Sequence, residues 1–182
     1  MASKIGKTAV VVGAGMGGLS AAAALARQFA EVIVLDRDTL PEGASARLGV
    51  GQGAHLHQLL KAGEQSLERL LPGITQDFFK AGAKEMRVGR DVKVFDFGGW
   101  MEDCDAGFTV TSLSRPAYEG ILRRRVAALP GVSIRQETSV KRFVVEGGKC
   151  VGVELEDGGT LAADLCVDLL GELGVVDQQL AY

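Results

Sequence analysis

KTAVVVGAGMGG, residues 7–18, joins a β-branched apolar run to a glycine-rich turn. The apolar run at residues 7–12 predicts a buried strand, and the alanine-rich segment at 19–29 predicts a helix with one apolar face. A second apolar run at 31–35 predicts another strand. A strand, a helix and a strand within about thirty residues form a βαβ unit, so the two strands should be parallel.

The turn matches the pattern G-x-G-x-x-G in the setting that gives the pattern meaning, after a strand and at the start of a helix. Gly13 makes the tight turn, Gly15 lets the backbone approach a pyrophosphate, and Gly18 lets the helix pack closely on the strand. Met16 and Gly17 complete the turn, where helix N–H groups face an anion. The alternative is a glycine-rich turn that binds no ligand.

An acidic residue, Asp36, follows the second strand, eighteen residues after Gly18. A carboxylate at this position accepts hydrogen bonds from ribose hydroxyls, and it repels the 2′-phosphate of NADP. Arg37 weakens that repulsion. Asp36 as an ordinary solvated strand end is the alternative, and the pattern alone does not separate NAD from FAD.

The middle of the chain suggests a long functional loop at 37–54, followed by an amphipathic helix at 56–71. Strands are expected at 92–97 and 108–113. Ser114 should cap a further helix that carries Pro116 in its first turn.

The last third is rich in strands, with a short one at 132–135 and a hairpin formed by 140–145 and 150–155. A meander should follow through 160–161, and 163–169 should return to the parallel sheet. The fold class is therefore α/β: a Rossmann-like FAD- or NAD(P)-binding βαβ parallel sheet with a β-meander insertion, in one domain over 1–182.

Composition excludes several classes of protein. The formal net charge is −3, so a nucleic-acid surface is not expected. Three cysteines without C-x-x-C spacing argue against a disulfide framework or zinc site and favour a cytoplasmic setting. The uncharged stretch at 8–26 could be taken for a signal peptide or membrane helix, but its glycines argue against membrane insertion. The two histidines, His55 and His57, lack suitable carboxylates, so no metal is expected.

Several further segments resemble one family when taken together. They are RLGVGQGAHLH at 47–57, FGGW at 97–100, SRP at 114–116, LPGV at 129–132 and ADL at 163–165. The set is similar to the FAD-dependent monooxygenases and oxidoreductases of the para-hydroxybenzoate hydroxylase fold, and the resemblance covers residues 7–170. Flavin halogenases and isoprenoid reductases belong to the same group.

The resemblance implies FAD as the cofactor. Arg47 would lie along the ribityl and pyrophosphate, Gln52 would face the ribityl or the ring, and Arg115 would contact the same part of the cofactor. The backbone near Val140 would touch adenine, and Asp168 would keep part of a family Asp-Gly motif. Arg47 as a solvated loop residue and Arg115 as a surface charge are the alternatives. The arginines at 123–125 are expected on a solvated helix face.

The implied activity is that of a monooxygenase-type oxidoreductase. NAD(P)H reduces the flavin, and one oxygen atom enters a small apolar or aromatic substrate. The flavin carries this chemistry, so no catalytic side chain is identified.

The match to the family is incomplete. The Ser and Arg expected after Asp168 are missing, and family members are longer, so we expect a truncated chain that corresponds to their nucleotide-binding half. A partner chain or self-association should cover the sheet edge. Two alternatives stay open: a non-catalytic FAD-binding fragment or subunit, and an NAD-dependent Rossmann dehydrogenase.

Overall fold

The computed structural model describes residues 4–47, 50–54, 57–93 and 95–169, without the side chains of Gln52 and Ala54. Its helices are α1 (Met16–Leu25), α2 (Lys61–Leu70), α3 (Ile74–Lys80) and α4 (Arg115–Ala127), with a short 3-10 helix at Gly51–Ala54. Its strands are β1 (Gly6–Val12), β2 (Phe29–Leu35), β3 (Gln58–Leu59), β4 (Lys84–Arg87), β5 (Phe95–Asp96), β6 (Gly99–Trp100), β7 (Thr109–Ser112), β8 (Val132–Arg135), β9 (Val140–Glu146), β10 (Lys149–Leu155), β11 (Thr160–Ala162) and β12 (Leu165–Asp168).

Four parallel strands form the central sheet in the order β12-β1-β2-β8. Val12 lies opposite Leu35 on one side and Asp168 on the other. The carboxyl ends of β1, β2 and β12 therefore meet at one edge of the sheet. The predicted parallel βαβ unit and the predicted return of the chain to the sheet are both confirmed.

The sheet is buried on both faces, which explains why its strands are continuous apolar runs. Ala9 and Val11 face a core built with the helices, whereas Val10 and Val12 face a second core built with the meander. The meander itself consists of β9, β10 and β11, paired antiparallel as the sequence predicts.

The first helix begins and ends earlier than the sequence suggests. The predicted span of 19–29 is wrong: α1 starts at Met16, directly after Gly15, and ends at Leu25. Phe29 belongs to β2, where it lies opposite Gly6 in the parallel register. Strand pairing outweighs the helical periodicity that includes this buried ring.

The segment predicted as one helix at 56–71 is divided. Residues 55–56 lie outside the described residues, β3 comes next, and α2 starts only at Lys61. Leu60 has extended backbone angles because β3 pairs with β7, with Leu59 opposite Thr111. Pairing with a strand fifty residues away is invisible to local periodicity.

Two elements between 72 and 90 are not predicted by the sequence, and the strand predicted at 92–97 is short among the described residues. Strand β7 confirms the expectation at 108–113, and it pairs with both β3 and β4. Among the described residues of 92–97, β5 covers Phe95 and Asp96, in an exposed two-stranded ribbon with β6. Short α3 lacks the length for a clear periodicity, and β4 reads Lys-Glu-Met-Arg, a composition that does not indicate a strand.

Candidate functional site

The glycine-rich turn lies at the carboxyl edge of the sheet, between β1 and α1. Gly13 has a φ of 102°, which favours glycine, and its N–H donates to the carbonyl oxygen of Leu35 at 2.7 Å. A Cβ atom at Gly18 would overlap the carbonyl oxygen of Gly13, so helix and strand approach more closely than any other residue permits. The turn is therefore built into the packing of the fold.

Gly15 differs from Gly18 because space lies in front of it. Within the part of the chain that the structure describes, a Cβ atom built on Gly15 would meet one group within 4 Å, the Nη2 atom of Arg47 at 3.9 Å. Gly15 is the N-cap of α1, whose first N–H groups have no partner within the helix. Met16 and Gly17 carry two of these groups. Together they form the kind of helix terminus that binds anions.

Asp36 ties this turn to the end of β2. Its side chain is 3% exposed, and its Oδ2 accepts a hydrogen bond from the N–H of Ala14 at 2.6 Å. Its Oδ1 accepts from the N–H of Asp38 at 2.9 Å and from Nη1 of Arg47 at 2.9 Å. Asp36 is thus a buried carboxylate that accepts three hydrogen bonds, and not a solvated strand end.

Arg47 is held by three carboxylates. Nη1 bonds Asp36 and, at 2.8 Å, Oδ2 of Asp38, while Nε bonds Oε1 of Glu119 at 2.8 Å. Burial by itself lowers the pKa of the Arg47 guanidinium, but the charges of Asp36 and Glu119 outweigh that effect and raise the pKa above its ordinary value. With 9% of its side chain exposed, Arg47 is not the solvated loop residue of the alternative interpretation.

Glu119 brings further arginines to the same place. Glu119 as a whole residue is 4% exposed. Arg115 Nε lies 3.7 Å from its Oε2. Arg123 Nη1 lies 3.8 Å from Oε1, and burial lowers the pKa of Arg123 despite this carboxylate. Among the described residues, Glu119 Oε2 and Arg115 Nε have no hydrogen-bond partner. Both residues line a cavity of about 10 Å³ beside Arg47.

The helix face at 123–125 is therefore not simply solvated. Arg123 is largely buried and donates to the carbonyl oxygen of Pro41 in the loop that leads to Arg47. Arg125 pairs with Asp77 at 3.0 Å. The prediction of a solvated face is wrong for Arg123, because the long loop folds over the first turns of α4.

The remaining predicted residues lie around this centre. Arg37 has an exposed side chain, and the side chain of Gln52 lies outside the described residues. Val140 is buried at the start of β9, and just before it the N–H of Thr138 donates to the carbonyl oxygen of Asp36 at 2.8 Å. Asp168 ends β12 opposite Val12, at the same sheet edge.

Sequence reasoning missed Glu119, Asp38 and Gly120. Glu119 stands four residues after Arg115, a spacing that places both on one helix face and could have drawn attention to it. A Cβ atom at Gly120 would overlap the carbonyl oxygen of Gly43, so this glycine lets α4 approach the loop that carries Arg47. No local pattern indicates that contact.

The donor set fits a dinucleotide. A helix N-terminus and a guanidinium flank an open glycine, which suits a pyrophosphate. A carboxylate at the end of β2 suits ribose hydroxyls. Within the described ranges, no group of three His, Cys, Asp or Glu side chains is placed to hold a metal ion. None of the helices described in the structure is long and apolar enough to cross a membrane.

The sequence of this chain is similar to those of known proteins. The sequence profile of the FAD dependent oxidoreductase family matches residues 9–172. Protein Rv3254 of Mycobacterium tuberculosis is 35% identical over 177 residues, which cover 90% of this chain and 37% of that protein. All-trans-zeta-carotene desaturase of Myxococcus xanthus is 38% identical over 155 residues, which cover 85% of this chain and 27% of the desaturase. The chain thus spans about a third of the length of these curated relatives.

Solved structures share the fold. PqsL of Pseudomonas aeruginosa, described as a probable FAD-dependent monooxygenase, superposes with a TM-score of 0.68 at 17% identity, covering 88% of this chain and 41% of PqsL. A variant of 2-methyl-3-hydroxypyridine-5-carboxylic acid oxygenase superposes with a TM-score of 0.63 at 23% identity, covering 88% of this chain and 38% of the oxygenase. At these identities the likeness concerns the fold alone.

Proposed function

Because the chain belongs to the FAD dependent oxidoreductase family, we propose that it binds FAD at the carboxyl edge of its parallel sheet. The observation that carries the proposal is the open face of Gly15. Among the described residues, no side chain stands between this glycine and Nη2 of Arg47, which lies 3.9 Å from the position of a Cβ atom. A pyrophosphate could contact the backbone N–H groups of the turn from one side and the guanidinium from the other.

Different residues of the site would bind different parts of the cofactor. The turn at 13–18 and Arg47 would hold the pyrophosphate, and Asp36 would accept from the ribose. Its oxygens offer about four acceptor sites, and three are engaged by Ala14, Asp38 and Arg47. One acceptor site therefore remains for a ribose hydroxyl.

The positions of the other predicted residues support further contacts with the cofactor. The backbone before Val140 runs beside Asp36 and is available to adenine, and Arg115 would reach the ribityl part together with Gln52. Asp168, at the end of β12, would lie on the far side of the turn from Asp36.

We infer that the complete activity is that of a monooxygenase-type oxidoreductase with a small apolar or aromatic substrate. The flavin, when bound, supplies the redox chemistry with NAD(P)H as the reductant. The residues of the site would bind and orient it. Because the chain spans about a third of its relatives' length, we also consider a second function, an FAD-binding subunit that needs a partner chain for turnover.

The test starts with the purified 182-residue chain mixed with FAD, passed through gel filtration and examined by its visible spectrum. We expect the wild-type protein to retain flavin and Gly15→Val to lose it, since the added side chain fills the space in front of the turn. Gly99→Val is the matched control, because a Cβ atom at Gly99 meets nothing within 4 Å and lies on the distant ribbon.

The same preparation separates the alternatives. Oxidation of NAD(P)H by the flavin-loaded protein would support an enzyme, and flavin retention without oxidation would support the binding subunit. Retention of NAD without any retention of FAD would contradict the proposal and favour a nicotinamide-dependent dehydrogenase.

A further inference from the structure

Glu119 is a buried carboxylate surrounded by three guanidinium groups. Its Oε1 accepts from Nε of Arg47 at 2.8 Å, and Nη1 of Arg123 lies 3.8 Å from the same oxygen. Nε of Arg115 lies 3.7 Å from Oε2. The three arginines come from different places, since Arg47 lies in the long loop and the other two lie one turn before and after Glu119 on α4.

Stability alone is a poor explanation for this arrangement. Removing a carboxylate from water has a large free-energy cost, and a buried ion pair often stabilises a fold no more than apolar side chains of equal volume. The geometry instead restrains one group. Glu119 holds Arg47 at Nε while Asp36 and Asp38 hold it at Nη1, so the planar guanidinium is fixed at two positions.

The position of the restrained guanidinium indicates a functional role for the carboxylates that hold it. Its third nitrogen, Nη2, is the atom nearest to the open face of Gly15. Without Glu119 the long arginine side chain could rotate about its outer bonds while keeping the contacts at Nη1. A guanidinium that is fixed before binding loses less conformational entropy when an anion arrives.

We propose that Glu119 is a positioning residue, whose carboxylate holds Arg47 over the Gly15 turn so that the guanidinium reaches a dinucleotide bound there. The inference rests on the proposed FAD binding. Glu119 itself acts through Arg47 and makes no contact with the pyrophosphate. It lies 72 residues from Arg47 along the chain.

A double-mutant cycle on FAD affinity tests the proposal. Glu119→Gln keeps the volume of the side chain and removes its charge, and Arg47→Ala removes the group being positioned. We expect each single change to weaken FAD binding about tenfold or more, and the double variant to bind like Arg47→Ala. A purely structural role for Glu119 would instead multiply the two effects.

The matched control is Asp77→Asn. Asp77, on α3, pairs with Arg125 at 3.0 Å. It is therefore a carboxylate bonded to an arginine of α4, but near the C-terminal end of that helix. Its removal should leave FAD affinity unchanged. Melting temperatures and circular dichroism of each variant show that the fold persists, and Glu119→Asp, which retains the charge but falls short of Arg47, serves if the glutamine variant does not fold.

A second measurement needs no FAD. The Nε–H of Arg47 should exchange slowly with solvent in nuclear magnetic resonance spectra, and the protection should disappear in Glu119→Gln. Arg90 supplies the reference, because its Nε pairs with Asp105 at 3.3 Å on an exposed side chain. Exchange as fast as that of Arg90 in the wild-type protein would overturn the proposal.

The outcomes are distinguishable from failure of the proposed function. If the wild-type chain binds FAD and Glu119→Gln binds it equally well, the positioning role is overturned and FAD binding stands. Multiplicative effects in the cycle also overturn it. If the wild-type chain retains no FAD, the proposed function fails and the inference fails with it, whatever the exchange of Arg47 shows.

Discussion

The N–H of Ala14 donates to Oδ2 of Asp36 at 2.6 Å, although 22 residues separate the two along the chain. This bond joins the glycine-rich turn after β1 to the end of β2. The same carboxylate bonds Arg47 through its other oxygen. One buried side chain therefore shapes the turn and orients the cation in front of it.

Replacement of Asp36 by alanine should damage both roles. We expect FAD affinity to fall by roughly 1.5–3 kcal/mol, the range for a charge-assisted hydrogen bond, and the ligand-free protein to lose stability because the Ala14 N–H is left unpaired. Asp38→Ala is the control, since Asp38 bonds Arg47 but its side chain does not hold the turn. Titration with FAD and urea denaturation measure the two effects; unchanged affinity would mean that Asp36 has no part in binding.

Neighbouring glycines in α1 should respond in opposite ways to alanine. At Gly18 the added methyl overlaps the carbonyl oxygen of Gly13, so we expect a loss of about 1–3 kcal/mol in the free energy of unfolding. At Gly17 the sole contact among the described residues is Cδ2 of Leu169 at 3.8 Å, an ordinary contact, so Gly17→Ala should be neutral or stabilise by up to about 1 kcal/mol through helix propensity. Urea denaturation of the ligand-free variants compares them, and equal effects would contradict the close approach.

Replacement of Gly120 by alanine should alter the site indirectly, through the loop that carries Arg47. The new methyl overlaps the carbonyl oxygen of Gly43 and displaces the loop that carries Arg47. We expect the protein to remain folded, because this loop lies at the surface, and FAD affinity to fall about tenfold. Isothermal titration of Gly120→Ala beside Gly99→Ala checks this. Wild-type affinity in the first variant would show that the loop moves without moving Arg47.

Stability should decrease at alkaline pH because of Tyr118. Burial, together with the charge of Glu64, raises the pKa of this phenol to about 12 from its ordinary 10.0. Between these values the folded protein binds more protons than the unfolded chain, so the free energy of unfolding falls as pH rises, by up to about 1.4 kcal/mol per pH unit. The stabilising effect is complete below pH 10.

The comparison with Tyr118→Phe isolates this contribution. The phenylalanine variant should be less stable at neutral pH, since the bond from the Tyr118 hydroxyl to the carbonyl oxygen of Thr111 is lost. Its slope of unfolding free energy against pH should be shallower above pH 10. Urea denaturation between pH 8 and 11 measures both proteins, and parallel slopes would show that Tyr118 titrates normally.

Local patterns predicted the parts of the fold that depend on local requirements. The βαβ unit, the meander and the return of the last strand are visible because apolar runs and glycine turns repeat within short windows. Element boundaries failed where a distant partner decided them. Phe29 joins β2 because of its register with Gly6. Packing stabilises α3, since the ring of Phe78 lies edge-on to that of Tyr118 with 4.9 Å between the ring centroids.

The candidate site shows the same division. The glycines, Asp36, Arg47 and Arg115 were found from motif and resemblance, since each occupies a recognisable position along the chain. Their arrangement was not found. Gly120 and Glu119 belong to no motif. Gly120 nevertheless lets the loop approach α4, and Glu119 accepts a hydrogen bond from Arg47 in that loop.

The succession of a strand, a glycine turn and a helix from residue 7, with an acid after the next strand, follows from the sequence alone, because steric demands and hydrophobic periodicity act over a few residues. Which charges meet depends on the folded structure. Arg47 contacts Glu119 across 72 residues because the long loop folds onto α4, and electrostatic partners in a buried site depend on distance in space and not along the chain.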